Sequence, residues 1–175
     1  MFNISFKRPI NKGDDIKKYL EENMIQTDSR VNVKVKKILE NAVLPIKGSE
    51  GAAGFDLTAA QETFKAELTG PMFEYDTGLS FEIPEGYVGL VFPRSSITTK
   101  TTLLLGNGVG VIDSDYRGTV KFQYRNITPG AGKKYKIGDR VGQIIILPIP
   151  SVSFEEVTDL SDSKRGAGGF GSSGV

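Results

Sequence analysis

The chain has 175 residues, 38% of them hydrophobic and 25% charged, with a formal net charge of +1, a composition that suits one domain with a real core and gives no support for a protein that wraps nucleic acid or coats a membrane. It contains no histidine, cysteine or tryptophan, which removes Ser-His-Asp and Cys-His nucleophiles, HExxH metalloprotease helices, zinc-cysteine deaminase sites and disulfide frameworks. Carboxylates, hydroxyls, lysines, arginines and backbone amides remain, a set that fits phosphate chemistry with a metal carried in by the substrate.

Met1 to Arg8 hold no apolar stretch of signal length, and the longest apolar run, Ile144 to Ile149, is far too short to span a bilayer. An intracellular, cytoplasmic protein without a membrane partner is therefore expected. Gly13 to Asn23 carry a helical pattern, with Asp14 as cap and Ile16, Tyr19 and Leu20 on one face. A polar linker, Met24 to Arg30, follows, so residues 1–30 read as an appendage. From Val31 the period changes to two, with Val31, Val33 and Val35 alternating with Asn32, Lys34 and Lys36. Further strands are predicted over Gly78 to Ile83, Tyr87 to Phe92, Thr119 to Arg125, Val141 to Ile149 and Ser153 to Val157, with Pro84-Glu-Gly86 and Pro129-Gly-Ala-Gly132 as turns. Short strands, almost no helix and no βαβ alternation imply an all-β sandwich or jelly roll over residues 31–160. Residues 161–175, which include Arg165-Gly-Ala-Gly-Gly-Phe-Gly-Ser-Ser-Gly174, are too glycine-rich to hold themselves in a core and read as a flexible tail.

The most informative stretch runs from Gly106 to Gly118. It reads as a glycine-punctuated β-hairpin whose arms are anchored by Val109, Val111 and Ile112, with Asp113 and Tyr116 held over a pocket at its tip. Glycines let backbone amides approach a flat ligand closely, so a nucleotide fits such a site.

Ala53-Gly-Phe-Asp-Leu57, Pro93-Arg-Ser-Ser96, Gly106 to Gly118, Gly138-Asp-Arg-Val-Gly-Gln143 and the Arg165 to Gly174 tail occur in an order and spacing that resemble the trimeric dUTPases. The resemblance runs from about Val31 to the C-terminus. It implies a jelly-roll β-barrel that hydrolyses dUTP to dUMP and pyrophosphate, limiting uracil in DNA and supplying dUMP for thymidylate synthesis. It implies a homotrimer with active sites assembled from several subunits, magnesium chelated by the triphosphate, and no nucleic-acid partner.

By the same resemblance, Asp113 is the catalytic carboxylate that orients and deprotonates the water attacking the α-phosphorus. A carboxylate is a feeble base at neutral pH, so positioning and the metal would carry most of the rate. Backbone groups of the central segment, including Gly110 and Val111, would read the Watson-Crick edge of uracil. Asn107 would help through a water, and Tyr116 would lie against the deoxyribose. Fixed amides would leave buried groups unpaired with cytosine, a close fit would clash with the methyl of thymine, and the tyrosine ring would leave no room for a 2′-hydroxyl. Arg94, Ser95, Ser96 and Gln143 match phosphate-binding positions, and Asp56 either supports the metal's water shell or caps backbone. Ser96 stands where the family more often has glycine, which bears on the loop's backbone angles. Asp115 reads as a turn or structural acid, and Asp139 and Arg140 as structural partners for each other. In the tail, Phe170 would stack on uracil while Arg165, Gly171, Ser172 and Ser173 close over the phosphates.

Two other readings share the fold. A dCTP deaminase has a segment similar to Arg94-Ser-Ser96, but it uses a glutamate in place of the aspartate-tyrosine pair found in Val111 to Tyr116. A regulatory protein with this fold would bind a protein partner, and the appendage at residues 1–30 offers a place for it.

Overall fold

The structure, a computed structural model, describes residues 30–67, 70–128 and 134–168. The proposed helix over Gly13 to Asn23, the Pro129 to Gly132 turn, and Phe170, Gly171, Ser172 and Ser173 lie outside these residues. Among the described residues, ten antiparallel strands form two facing sheets. The first contains β1 (Lys34–Lys37), β4 (Gln61–Glu67), β5 (Gly70–Glu82), β7 (Leu103–Leu105) and β9 (Thr119–Asn126). The long β5 pairs with β9 on one edge and with β4 and β1 along the other. The second sheet has the order β2 (Ile46–Lys47), β3 (Phe55–Thr58), β10 (Arg140–Pro148), β6 (Tyr87–Phe92), β8 (Gly110–Ile112). A single helical turn, α1 (Ile97–Lys100), follows β6. The expected all-β architecture is therefore observed, and among the described residues no helix is long and apolar enough to cross a membrane.

Alternation places the core. On β9, Val120, Phe122 and Tyr124 point inward and are buried, whereas Lys121 and Gln123 point outward and are exposed. The inward residues meet Tyr75, Leu79, Leu57, Val141 and Ile144 from the neighbouring and facing strands. Val33 and Val35 pack against the same core, as their period predicts.

Three tyrosines stand in this core with ring centroids 5.7–6.1 Å apart. Tyr124 donates its hydroxyl to the Val141 carbonyl at 2.6 Å, and Tyr75 donates to the Tyr135 carbonyl at 3.2 Å. Burial pushes all three hydroxyls above the ordinary tyrosine value. Because the folded state keeps these protons while an unfolded chain releases them near pH 10, stability is intact below about pH 10 and falls as pH rises beyond it. The expected loss is up to about 1.4 kcal/mol per pH unit for each tyrosine. Melting temperatures measured across the alkaline range should drop steeply past that point, and a flat profile would contradict the burial.

The structure corrects two of the sequence expectations. Ser153 to Val157 form no strand, and Phe154 is 97% exposed, because within one chain no sheet edge takes this segment. The Gly106 to Gly118 segment is not a hairpin, since its two sides pair away from each other: β8 joins β6 in one sheet while β9 joins β5 and β7 in the other. The short β8 adds to the edge of one sheet, and the eight-residue β9 lies between β5 and β7 in the other. Of the three proposed anchors only Ile112 packs against the core, whereas Val109 and Val111 are exposed.

Candidate active site

The sequence-predicted residues fall into two groups, each built by the sheet topology. The first lies on the second sheet, where β10 runs between β3 and β6 and Gln143 stands opposite Asp56 on one side and Phe92 on the other. This register brings three separate sequence segments together. Gln143 donates its amide to the Pro93 carbonyl at 3.2 Å, which ties β10 to the loop carrying Arg94, Ser95 and Ser96.

Asp56, only 9% exposed, is the hub of this group. One carboxylate oxygen accepts from Arg94 Nε at 3.0 Å and the other from Arg140 Nη1 at 2.9 Å. Asp56 therefore clamps two guanidiniums rather than capping backbone. Arg140 is a residue that sequence reasoning misplaced. It does not pair with Asp139, whose carboxylate accepts from the Lys136 amide at 2.7 Å. Strand register is the reason, since Arg140 stands opposite Thr58 on β3 and reaches across to the acid.

Two arginines against one carboxylate leave a surplus positive charge beside a loop of two serines. The terminal amino groups of Arg94 make no hydrogen bond among the described residues, which leaves its planar fork for an anion. Ser96 has φ −72° and ψ −6°, an ordinary helical conformation, so the residue found where glycine is more frequent imposes no backbone strain.

The second group surrounds a cleft of about 280 Å³, lined by Asn107, Gly110, Val111, Asp113 and Tyr116 together with Thr119, Lys121 and Gln123. The cleft lies between two strand edges. β8 is the outermost strand of its sheet, and β7 covers β9 only as far as Tyr124, so the Thr119 to Phe122 stretch of that edge has no strand partner among the described residues. Such edges present backbone N–H and C=O groups, and a flat heterocycle between them would take the place of the missing strand pairing. Gly110 lets β8 sit close on β6, because a Cβ there would come within 2.5 Å of Val91.

Asp113 directly follows β8 and is exposed, and its carbonyl accepts from the Tyr116 amide at 3.2 Å in the turn that follows. Tyr116 is 43% exposed and donates its hydroxyl to the Thr119 carbonyl at 3.2 Å, so the ring is held as a wall of the cleft. Asp115 occupies the turn itself, as expected, and lines a different groove. Arg165 is exposed and, among the described residues, donates only to Gly168 within its own segment, at 2.8 Å.

Lys121, Gln123 and Thr119 were not among the sequence-predicted site residues, and their signal was the polar phase of the β9 alternation. Behind them stands Glu74, 7% exposed, which accepts from Lys65 at 2.7 Å, Gln123 at 2.9 Å and Lys121 at 3.4 Å. Burial raises the Glu74 carboxyl, but these donors outweigh it and hold the group below its ordinary value. Lys121 shows the counterpart: burial acts to lower it, and Glu74 and Asp76 hold it above the usual lysine value.

The dUTPase family model matches residues 40–174 of this chain. A deoxyuridine 5'-triphosphate nucleotidohydrolase of Yarrowia lipolytica is 44% identical over 148 residues, covering 83% of this chain and 90% of the relative. One from Arabidopsis thaliana is 41% identical over 158 residues, covering 89% and 92%. Among solved structures, the dUTPase of Staphylococcus bacteriophage 80alpha, as a point mutant with dUpNHpp, is similar with a TM-score of 0.68 at 29% identity, covering 82% of this chain and 99% of the other. A point mutant of the dUTPase from phage phi11 of S. aureus, solved with a structural Mg(II) ion, has a TM-score of 0.60 at 27% identity, covering 73% and 97%. With four of the five sequence segments gathered by one antiparallel fold into an arginine-rich anion site and an edge-lined cleft, and with a family match over most of its length, the chain belongs to the dUTPase family.

Proposed function

We propose that this protein hydrolyses dUTP to dUMP and pyrophosphate, with Asp113 activating the water and the Arg94 group holding the phosphates. The observation that carries this reading is the cleft in which Asp113, Tyr116, Asn107 and the open β8 and β9 edges converge. A pyrimidine between those edges meets fixed donors and acceptors, and Tyr116 shapes the sugar position. Asp113 takes a proton from water as the water oxygen bonds to the α-phosphorus. The bond from the α-phosphorus to the bridging oxygen breaks, and its electron pair leaves with pyrophosphate. The aspartate-tyrosine pair and the family match favour this chemistry over deamination.

The protein's own residues suit a magnesium ion that arrives on the triphosphate. Among the described residues no cluster of acids is placed to cage a metal, and both Asp56 oxygens are engaged by arginines. Magnesium keeps several waters and binds through substrate phosphates, where it would neutralise charge on the leaving group.

None of Arg94, Ser95, Ser96 or Gln143 lines the cleft that holds Asp113. A homotrimer in which one copy supplies the cleft and another the phosphate group accounts for that separation. The exposed apolar residues Val152, Phe154 and Leu160 are available for contact with a neighbouring copy. The tail, with Arg165, Phe170, Gly171, Ser172 and Ser173, would then close over the nucleotide, with the phenylalanine ring on uracil. Phage dUTPases of similar structure control transfer of virulence genes, which supports a regulatory protein partner as a second reading, with residues 1–30 as the segment to test by pull-down.

Pyrophosphate release should be rapid with dUTP and magnesium, and slower by at least about 100-fold with dCTP, dTTP or UTP. Equal rates on all four nucleotides would overturn the assignment.

A further inference from the structure

The β5–β9 ladder breaks where it passes the base cleft. Met72 to Asp76 pair in register with Lys121 to Arg125, but the pairing then jumps to Ser80 opposite Thr119. Gly78 turns the strand at φ 64°, a conformation that only glycine adopts readily. In the middle of the stretch of β9 that edges the cleft, Val120 therefore has no register partner on β5.

Side chains from β5 take over this support. Thr77 donates its hydroxyl to the Val120 carbonyl at 2.8 Å. One oxygen of Asp76 accepts from the Gly78 amide at 2.7 Å, which fixes the bulge. Its other oxygen accepts from the Thr119 hydroxyl at 2.7 Å and lies 3.4 Å from Lys121 Nζ. Glu74 continues the series by holding Lys121 and Gln123. The cleft-lining residues Thr119, Lys121 and Gln123 are thus each tethered to a carboxylate on β5.

We infer that Asp76, backed by Glu74, is a positioning residue for pyrimidine discrimination: it sets where the open edge of β9 meets the base. The inference rests on the reading of this cleft as the pyrimidine site. Hydrogen-bond readout tolerates little displacement, because N–H···O bonds hold only from about 2.7 to 3.2 Å, and a shift of about 1 Å near a bound substrate costs up to about 100-fold. Lys121 and Thr119 are also kept to one rotamer by these bonds, so neither side chain can swing into the base position.

The test compares Asp76→Asn, Thr119→Val and the double variant in the full-length protein, with KM and kcat measured separately for dUTP and dCTP and melting temperature recorded alongside. Asp76→Asn should raise KM for dUTP about tenfold and cut the preference for dUTP over dCTP about tenfold, with the loss falling on KM rather than kcat. The double variant should be no worse than the more impaired single variant, because both substitutions break the same tether. Thr119→Val leaves the Gly78 bond intact and reports on the tether if Asp76→Asn fails to fold. A lower melting temperature with unchanged KM and selectivity would reduce Asp76 to a structural role and overturn the inference, as would fully additive effects. Asn107→Ala and Tyr116→Ala separate the two levels. If they leave KM unchanged, the cleft reading itself fails; if they raise it while Asp76→Asn and Thr119→Val do not, only the inference fails.

Discussion

Asp113→Asn is expected to lower turnover of dUTP by about 1000-fold while leaving nucleotide binding within about threefold of the parent. The substitution keeps the shape of the side chain and removes the proton acceptor. Asp113 is exposed just after β8, and what it contributes to the fold, the carbonyl that accepts from the Tyr116 amide, belongs to the backbone and survives the change. Melting temperature should therefore stay where it is. Pyrophosphate release together with titration of a non-hydrolysable dUTP analogue separates the two effects. Near-normal turnover would remove Asp113 from the chemistry, and a matched loss of binding would make it a binding residue instead.

Asp56→Ala should act through stability and phosphate binding together. The carboxylate lies between Arg94 and Arg140, and its removal leaves two like charges facing each other in a partly buried site. Breaking a fully buried pair costs about 3 to 5 kcal/mol. The Arg140 side chain is 44% exposed and partly screened, so about 2 kcal/mol is the better expectation. That corresponds to a fall of about 4 to 8 °C in melting temperature for a domain of this size. Arg94, no longer held at Nε, should lose its aim at the triphosphate, and KM should rise about tenfold. If Asp56 instead served chiefly the water shell of a metal, its removal would change the magnesium dependence and leave the melting temperature nearly untouched. Thermal melts and magnesium titrations on the same variant decide between these outcomes.

The second prediction depends on neighbours that the linear chain separates widely. Asp56 and Arg94 belong to segments that each looked suited to phosphate chemistry. Their direct bond, and the role of Arg140 as the second arm of the clamp, follow only from β10 running between β3 and β6 in a particular register. The pairing proposed between Asp139 and Arg140 failed because Asp139 stays in the turn before β10, accepting from the Lys136 amide, whereas Arg140 enters the strand and is aimed by its register at Asp56.

Much was legible from local chemistry. Glycine-bounded runs of period two specified β-strands without any tertiary information, and β6 spans the predicted Tyr87 to Phe92. The absence of histidine and cysteine confined the chemistry to carboxylates, hydroxyls, cations and backbone amides. Asn107, Gly110, Val111, Asp113 and Tyr116 were identified together because they sit within one short segment, and they line one cleft.

The tertiary structure decided what short-range pattern does not encode. Whether the two sides of a turn pair with each other or with other strands depends on which distant edges are free, so the apparent hairpin at Gly106 to Gly118 opens into a cleft between two sheets. The same dependence left Ser153 to Val157 without a strand partner in its own chain despite a strand-like pattern. The carboxylates of Glu74 and Asp76, unremarkable in sequence, became supports of the cleft because antiparallel register put them opposite Gln123 and Lys121. Residue type and spacing thus determine which chemistry is available and which segments are strands, since those depend on near neighbours along the chain. Pairing partners, register and the groups that aim each side chain depend on contacts far apart in sequence, and only the folded sheets supply them.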